Sequence, residues 1–335
     1  MKRLKISVVI TCFNFEKFVG ETIESVLHQR PGDYDFELLV VDDASTDKSV
    51  EVISRYPQAK LIRAEKNQGV LLSTLQGLKA VTGDVVSFLD ADDRWLPSKL
   101  SQVAAAFSAD PTLTFLTHNY TYIDELGRPL HRDDSTQLKM VKASPDQHDH
   151  LLREGLLAID GTVWLGSAFS LRVDHQAFGA FDTFCRQLPE PQFTYQDFPL
   201  AYWWLTAPDA RFGYVKEPLF EYRIHSSNHS GAGASVEKML RNIRKGLNTR
   251  RALTQIVSTR KPWLKSLPAL RLREAEYEFL EAVYRHQPAQ ALQWWVQLSR
   301  EVWPRNTALK ELARMVAAGV LGPAGATRAL TRVRQ

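Results

Sequence analysis

Residues 85–93, Val-Val-Ser-Phe-Leu-Asp-Ala-Asp-Asp, constrain this 335-residue chain more than any other stretch. A short, largely apolar run reads as a strand buried on both faces of a parallel sheet. Here it runs straight into Asp90, Asp92 and Asp93. Carboxylates crowded at the end of a buried strand lose hydration and repel one another, so they require a partner. A divalent cation is the simplest partner, and hard oxygen ligands select magnesium, manganese or calcium over zinc. In extended backbone Asp90 and Asp92 project to the same side, which suits a metal that also holds phosphate oxygens. The plainer reading makes Asp92 and Asp93 caps of a helix that begins near Pro97.

The preceding residues supply context. Lys5–Ile10 alternates and is β-branched, a strand that ends in Thr11, Cys12, Phe13 and Asn14. Val19, Ile23, Val26 and Leu27 lie on one helical face. Phe36–Val41 is a second strand ending in Asp42-Asp43-Ala44-Ser45-Thr46-Asp47, before a helix over about 48–56. Leu61-Ile62 is a short third strand, Asn67-Gln68-Gly69 a turn, and the helix after it runs to about Val81, with Gly83 as its stop. Leu100, Val103, Ala104 and Phe107 mark another helix, and Thr114–Thr117 a fifth strand. Strands alternating with helices predict a doubly wound, mostly parallel sheet with right-handed crossovers. Ligands bind such sheets at the carboxyl ends of the strands, where Phe13-Asn14, Asp42-Asp43 and Asp90–Asp93 all fall.

The second half is less regular. The polar stretch 128–150, with His131, Asp133, Asp134, His148 and His150, reads as a surface loop. Val163–Leu171 is strand-like, Gly179-Ala180-Phe181-Asp182 a turn, and Gln196–Leu205 a helix whose Trp203 and Trp204 read as core. Phe220–His225 is a strand running into a Gly-rich loop over 226–234. Beyond Ser235 the chain is helical, with a stripe of Ala291, Trp294, Trp295, Leu298 and Val302. Residues 236–335 carry 19 Lys and Arg against 7 Asp and Glu, a charge of +12 on a chain whose net charge is +4. A basic tail on an acidic body points to an anionic neighbour or to a solvated helical surface. The tail 312–335, apolar with arginines, could lie in a membrane interface or pack on the body. The apolar run after the basic N-terminus stops at Ile10, too short for a signal-peptide core or a membrane span. Cys12 and Cys185 form no disulfide framework, so a reducing cytoplasm is expected.

Taken together, Ser7–Asn14, Val40–Asp47, Asn67-Gln68-Gly69, Gly83–Asp93, Gly179–Asp182, Gln196-Asp197 and Tyr222–Ser230 resemble, in that order, the family 2 glycosyltransferases. The resemblance covers roughly residues 4–232 and is most specific in its first half. It implies a GT-A fold, an α/β Rossmann-like sheet flanked by helices, over 1–232: a nucleotide-sugar half, 1–120, and an acceptor and catalytic half, 121–232. The helical C-terminal region, 233–335, lies outside it. It implies that Thr11, Phe13, Asn14, Asp42, Asp43, Asn67, Gly69, Asp90, Ala91 and Arg223 line the nucleotide-sugar site. Asp92 and His225 would hold Mg2+ or Mn2+, and Asp197 would be the catalytic base of an inverting transfer. The implied partners are a UDP- or GDP-linked donor and a glycan or lipid-linked glycan acceptor of surface polysaccharide synthesis, with no nucleic acid. Contact of the basic tail with the inner face of the cytoplasmic membrane and a homodimer are further expectations. Two departures stand out. Ser73-Thr74-Leu75 replaces the family's frequent Ala-Arg-Asn, and Gln196 replaces the glutamate that usually precedes the catalytic aspartate.

The alternatives belong to other classes. A sugar nucleotidyltransferase would share the sheet but needs a Gly-rich, basic phosphate loop after the first strand, which Thr11–Phe15 does not supply. An inactive sugar- or nucleotide-binding module would not need Asp92, Asp197 and His225 together.

Overall fold

A computed structural model of the chain describes residues 3–130, 142–143, 149–152, 165–226, 236–301, 303–304 and 306–316. His131, Asp133, Asp134, His148, Gly231–Gly233, Val302 and the tail beyond 316 lie outside them. The chain divides into two compact units, Met1–His225 and Ser226–Gln335.

The first unit is organised by one mixed sheet. Its strands are β1 (Leu4–Cys12), β2 (Tyr34–Asp42), β3 (Ala59–Arg63), β4 (Val85–Asp90), β5 (Arg94–Trp95), β6 (Phe115–Ile123), β7 (Pro129–Leu130), β8 (Lys142–Ala143), β9 (Ser170–Arg172) and β10 (Phe212–Arg223). Neighbours run in the order β3-β2-β1-β4-β9-β6-β10-β5, with β7 on β6 and β8 on β10. The β3-β2-β1-β4 block is parallel, β9 is antiparallel to both β4 and β6, and β10 returns parallel to β6. β1 is buried along its last seven residues, Ser7 and Thr11 included. Helices on both faces explain this, and they are why the strand reads as a near-continuous apolar run.

The helices of this unit are α1 (Val19–Leu27), α2 (Ser49–Ile53), α3 (Val70–Leu78), α4 (Lys99–Ala109), α5 (His175–Gln187) and α6 (Asp197–Leu205). Apolar faces at helical spacing hold them to the sheet: Val19, Ile23 and Val26 on α1, and Leu100, Val103, Ala104 and Phe107 on α4, are all buried. Gly77 lets α3 close on the sheet, since a Cβ there would stand 2.5 Å from Val9.

Three sequence expectations change. α3 ends at Leu78, so Gly83 does not stop it; Gly83 instead passes so close to β1 that a Cβ would meet the Lys5 carbonyl at 2.7 Å. Gly179–Asp182 lies inside α5, which Asp174 caps by accepting the Gln176 and Ala177 amides. Of Val163–Leu171, the described part is a 3-10 turn, Gly166–Ala168, with strand only from Ser170. Trp204 is buried, and Trp203 packs on Phe181 and Phe184 of α5.

The second unit contains α7 (Val236–Arg260), α8 (Leu267–Tyr284) and α9 (Pro288–Glu301), with a further helix over 306–316. Ile243, Phe279, Ala282, Val283, Tyr284, Ala291 and Leu298 form its core, and Trp294, Trp295 and Trp303 pack against it. The Trp295 indole donates to the Ala308 carbonyl and the Trp303 indole to Glu276. No helix among the described residues is long and apolar enough to cross a membrane.

Candidate active site

Register decides which residues meet. Thr11 of β1 pairs with Asp90 of β4, and Cys12 pairs with Asp42 of β2. The polar ends of three parallel strands therefore come level at one edge. The backbone continues the alignment: the Asp43 amide donates to the Cys12 carbonyl and the Ala91 amide to the Thr11 carbonyl. From α1, Thr22 Oγ1 reaches the carbonyls of Ala91 and Asp93, both at 2.8 Å. Neither Asp92 nor Asp93 caps α4, whose N-cap position is Ser98.

The three carboxylates are held by three different segments. Asp90 Oδ1 accepts the Gln196 amide at 3.0 Å. Asp92 Oδ2 lies 3.0 Å from His225 Nε2. Asp93 Oδ2 accepts the Ser167 hydroxyl at 2.6 Å, and its Oδ1 accepts the Arg223 backbone N–H at 3.0 Å. Ser167 Oγ also accepts the Asp90 N–H, so one hydroxyl clamps both ends of the motif. Asp93 is thereby a bolt between β4, β10 and the 166–168 turn. Burial, then the charges of Asp197 and Asp92, drive the Asp90 pKa well above the carboxylate range. Burial, then Asp92 and Asp90, does the same to Asp93.

His225 stands two residues past the end of β10, which brings it to this edge. Its ring lies against Phe18, centroids 4.6 Å apart, and edge-on to Phe15 at 6.0 Å. These aromatic walls fix the imidazole so that Nε2 faces Asp92. Arg223, expected beside the donor, is instead buried in the frame. Its Nε donates to the Asp92 carbonyl at 2.8 Å, and a terminal nitrogen pairs with Glu21 at 2.5 Å. Glu21 also pairs with Arg94, which in turn binds Glu221 at 2.5 Å. This network steadies the backbone behind Asp92.

Asp197 opens α6 as its first residue and makes no side-chain cap. Its pKa is raised to about 7 by burial, with the Gly166 N–H and the Gln196 side chain leaning the other way. Oδ1 is buried without a hydrogen bond of normal geometry. Only glycine fits at 166, since a Cβ would stand 2.7 Å from that oxygen.

Asp42 is fully buried. Its Oδ2 accepts the Ser45 amide at 3.2 Å, and its Oδ1 has no hydrogen-bond partner. Asp43 spends both oxygens on the amides of Gln68 and Gly69, each at 2.8 Å. Asn14 is exposed, takes φ +57°, and its side chain holds the Thr46 amide at 2.8 Å. Thr11 is buried, Phe13 half-buried, Asn67 exposed and Ala91 buried. Gly69, at φ +85°, would place a Cβ 2.3 Å from the Gln192 carbonyl, so contact with the 191–193 turn accounts for it. Asp43, Gly69 and Arg223 are thus taken up by framework contacts, while Asp42 and Asp197 each keep a buried oxygen without a hydrogen-bond partner, Asp90 meets Gln196 and Asp92 meets His225. Glu21, Thr74 and Ser167 were not legible as site residues, because their roles depend on contacts more than 70 residues away along the chain, and Gly166 was not because its role depends on Gln196 and Asp197, about 30 residues on.

Among the described residues no group of three or more His, Cys, Asp or Glu side chains is arranged to hold a metal ion. Asp92 and His225 offer two ligands. The two side chains meet each other at 3.0 Å, and a divalent cation held there would take its other ligands from water and substrate phosphates, as magnesium commonly does.

A parallel sheet that brings three strand ends level at one edge, two of them carrying carboxylates, with an aspartate at a helix start beside them, is the GT-A architecture of glycosyltransferases. Residues 7–172 match the family model Glycosyl transferase family 2. The chain belongs to that family and is a glycosyltransferase. An uncharacterized glycosyltransferase of Nostoc sp. is 28% identical over 244 residues, 70% of this chain and 69% of that protein. The putative teichuronic acid biosynthesis glycosyltransferase TuaG of Bacillus subtilis is 28% identical over 129 residues, 37% of this chain and 50% of TuaG. Among solved structures, S. aureus TarS in complex with UDP-GlcNAc superposes with TM-score 0.58 at 17% identity, covering 98% of this chain and 92% of that one. The mannosyltransferase PcManGT of Pyrobaculum calidifontis, in complex with GDP-Man and Mn2+, does so with TM-score 0.51 at 15% identity, covering 99% and 87%.

Proposed function

We propose that the enzyme moves a sugar from a nucleotide-sugar to an acceptor hydroxyl with inversion, Asp92 and His225 holding a divalent cation and Asp197 acting as base. The observation that carries this reading is the division of labour among buried carboxylates. Asp92 faces His225, Asp197 stands apart with a pKa near neutrality, and Asp90 feels the charge of both. The donors bound by TarS and PcManGT support a UDP- or GDP-linked sugar, and the Mn2+ of PcManGT supports the metal. TuaG, named for teichuronic acid synthesis, supports a glycan or lipid-linked glycan acceptor in surface polymer assembly. In this reading residues 1–120 hold the donor and 121–232 the acceptor.

Asp42, with one oxygen unsatisfied, takes an N–H or O–H of the base or ribose, and Asp90 with Thr11 lies along the ribose. Asp197 accepts the acceptor's proton as its oxygen attacks the anomeric carbon. The carbon–oxygen bond to the diphosphate breaks on the opposite face, which inverts the centre. Bound magnesium or manganese would supply neutralisation of the departing diphosphate. Calorimetry of UDP and GDP tests the metal assignment: affinity should require manganese and fall at least tenfold in Asp92→Ala. Equal affinity in EDTA removes Asp92 and His225 as ligands.

The basic second unit is proposed to bring the enzyme to anionic membranes. Its α9 tryptophans are occupied by core packing, which shifts the expected contact to Trp263, 74% exposed between Lys261 and Lys265.

A further inference from the structure

The two departures from the family pattern touch each other. Thr74, fully buried on α3, shares its hydroxyl between the Val70 carbonyl, at 2.8 Å, and Gln196 Oε1. Gln196, 5% exposed, then donates from Nε2 to Asp90 Oδ1 at 3.0 Å. One amide therefore links α3, the start of α6 and the end of β4. Gln196 is also the residue before Asp197, and the absence of a Cβ at Gly166 makes room for both side chains, since one there would stand 2.7 Å from Asp197 Oδ1 and 2.9 Å from Gln196 Nε2.

A neutral residue suits this place. Burial and then the charge of Asp197 already raise the cost of ionising Asp90, and a glutamate at 196 would add a buried carboxylate with only a hydroxyl to answer it. Arginine at 74 would supply that answer, and here threonine stands instead. A buried pair tolerates loss of both charges together far better than loss of one. The hydroxyl and the amide thus form a matched uncharged pair where a charged pair could stand.

We propose that Gln196 is a positioning residue. Anchored by Thr74, it sets the spacing between Asp90 on the donor side and Asp197 on the acceptor side. This inference rests on Asp197 being the base. It assigns no chemistry to Gln196 itself: the amide never touches the proton in flight but fixes where the base sits. A misplacement of about 1 Å costs on the order of 100-fold in rate, so the tie should appear in turnover more than in donor binding.

The test uses the full chain with UDP-GlcNAc, UDP-galactose and GDP-mannose supplied together with manganese, reading nucleoside diphosphate release. Gln196→Met keeps volume and removes both hydrogen bonds, and Thr74→Val removes the anchor. Both substitutions are uncharged and of similar size, and melting temperatures check that each variant folds. We expect Gln196→Met to lower kcat about 10- to 100-fold with donor KM within about threefold, and Thr74→Val to lower it less. The double variant should be no worse than Gln196→Met, because the two act through one chain of bonds. Gln196→Glu should be worse than Gln196→Met and should recover when Thr74→Arg is added. Unchanged kcat in Gln196→Met, or losses that add in the double variant, overturns the proposal. Asp197→Asn run beside them separates the two ideas. If it turns over normally, the base assignment fails whatever Gln196 does. If it is inactive while Gln196→Met is normal, only the positioning role fails.

Discussion

Asp197→Asn keeps the shape of the side chain and cannot accept a proton at neutral pH. Transfer should fall about 10²–10⁴-fold, with UDP affinity in manganese nearly unchanged, while Asp92→Asn should weaken both. A base works unprotonated, so wild-type transfer should climb as pH rises through about 7 and level off above it. A wild-type rate flat from pH 5 to 8 would count against Asp197. Asp93 makes the opposite contrast. Asp93→Ala leaves the Ser167 hydroxyl and the Arg223 N–H without their acceptor, and each such loss costs about 1–3 kcal/mol. Denaturant melts should show a large loss of stability for Asp93→Ala and a smaller one for Asp93→Asn. The acidic motif was visible in the sequence as a cluster; which side chain partners each carboxylate was not. That pairing depends on Ser167, Gln196 and His225, at least 74 residues away along the chain.

At the scale of elements, β1, β2 and β4 were readable because burial on both faces leaves apolar runs with nothing to dilute them. β5 and β9 were not, being two and three residues long and defined by their neighbours. α5 hid behind Gly179, which meets nothing within 4 Å and merely tolerates a helix capped by Asp174. Beneath α4 lies a further feature that periodicity could not reveal. Lys99 is fully buried, its Nζ against His118 Nε2 and 3.3 Å from the Ala168 carbonyl, behind the turn that carries Ser167. Burial pushes the pKa of both Lys99 and His118 well down. Burial makes the folded chain hold the Lys99 proton more weakly than the unfolded chain does, so the unfolded chain binds more of it and stability rises with pH up to about the ordinary value of 10.5. Each such proton tilts the folding equilibrium about tenfold per pH unit. Lys99→Met should flatten this rise between pH 8 and 9, above the ordinary titration range of histidine. Melting curves across that range decide it; an unchanged slope would mean that Lys99 stays charged inside.

Across the whole molecule, charge is the property the two halves share least. Residues 236–335 hold +12 and the rest −8. Near an anionic surface each Lys or Arg adds about 1 kcal/mol at most, and salt screens it within roughly 10 Å. Flotation with phosphatidylserine-rich vesicles should capture the full chain at low salt and release it at high salt. Trp263→Ser combined with Lys261→Glu and Lys265→Glu should reduce capture without changing turnover on a soluble acceptor. Equal capture of the triple variant would place the contact elsewhere on the basic surface. A final consequence concerns the two thiols. Cys12 and Cys185 are both buried, burial lifting the first to about 12 and the second higher still. Neither offers a thiolate at neutral pH. The native chain should therefore be silent to maleimide, and one cysteine introduced at exposed Asn67 would carry a lone fluorophore near the proposed donor site, turning the enzyme into its own reporter of substrate arrival.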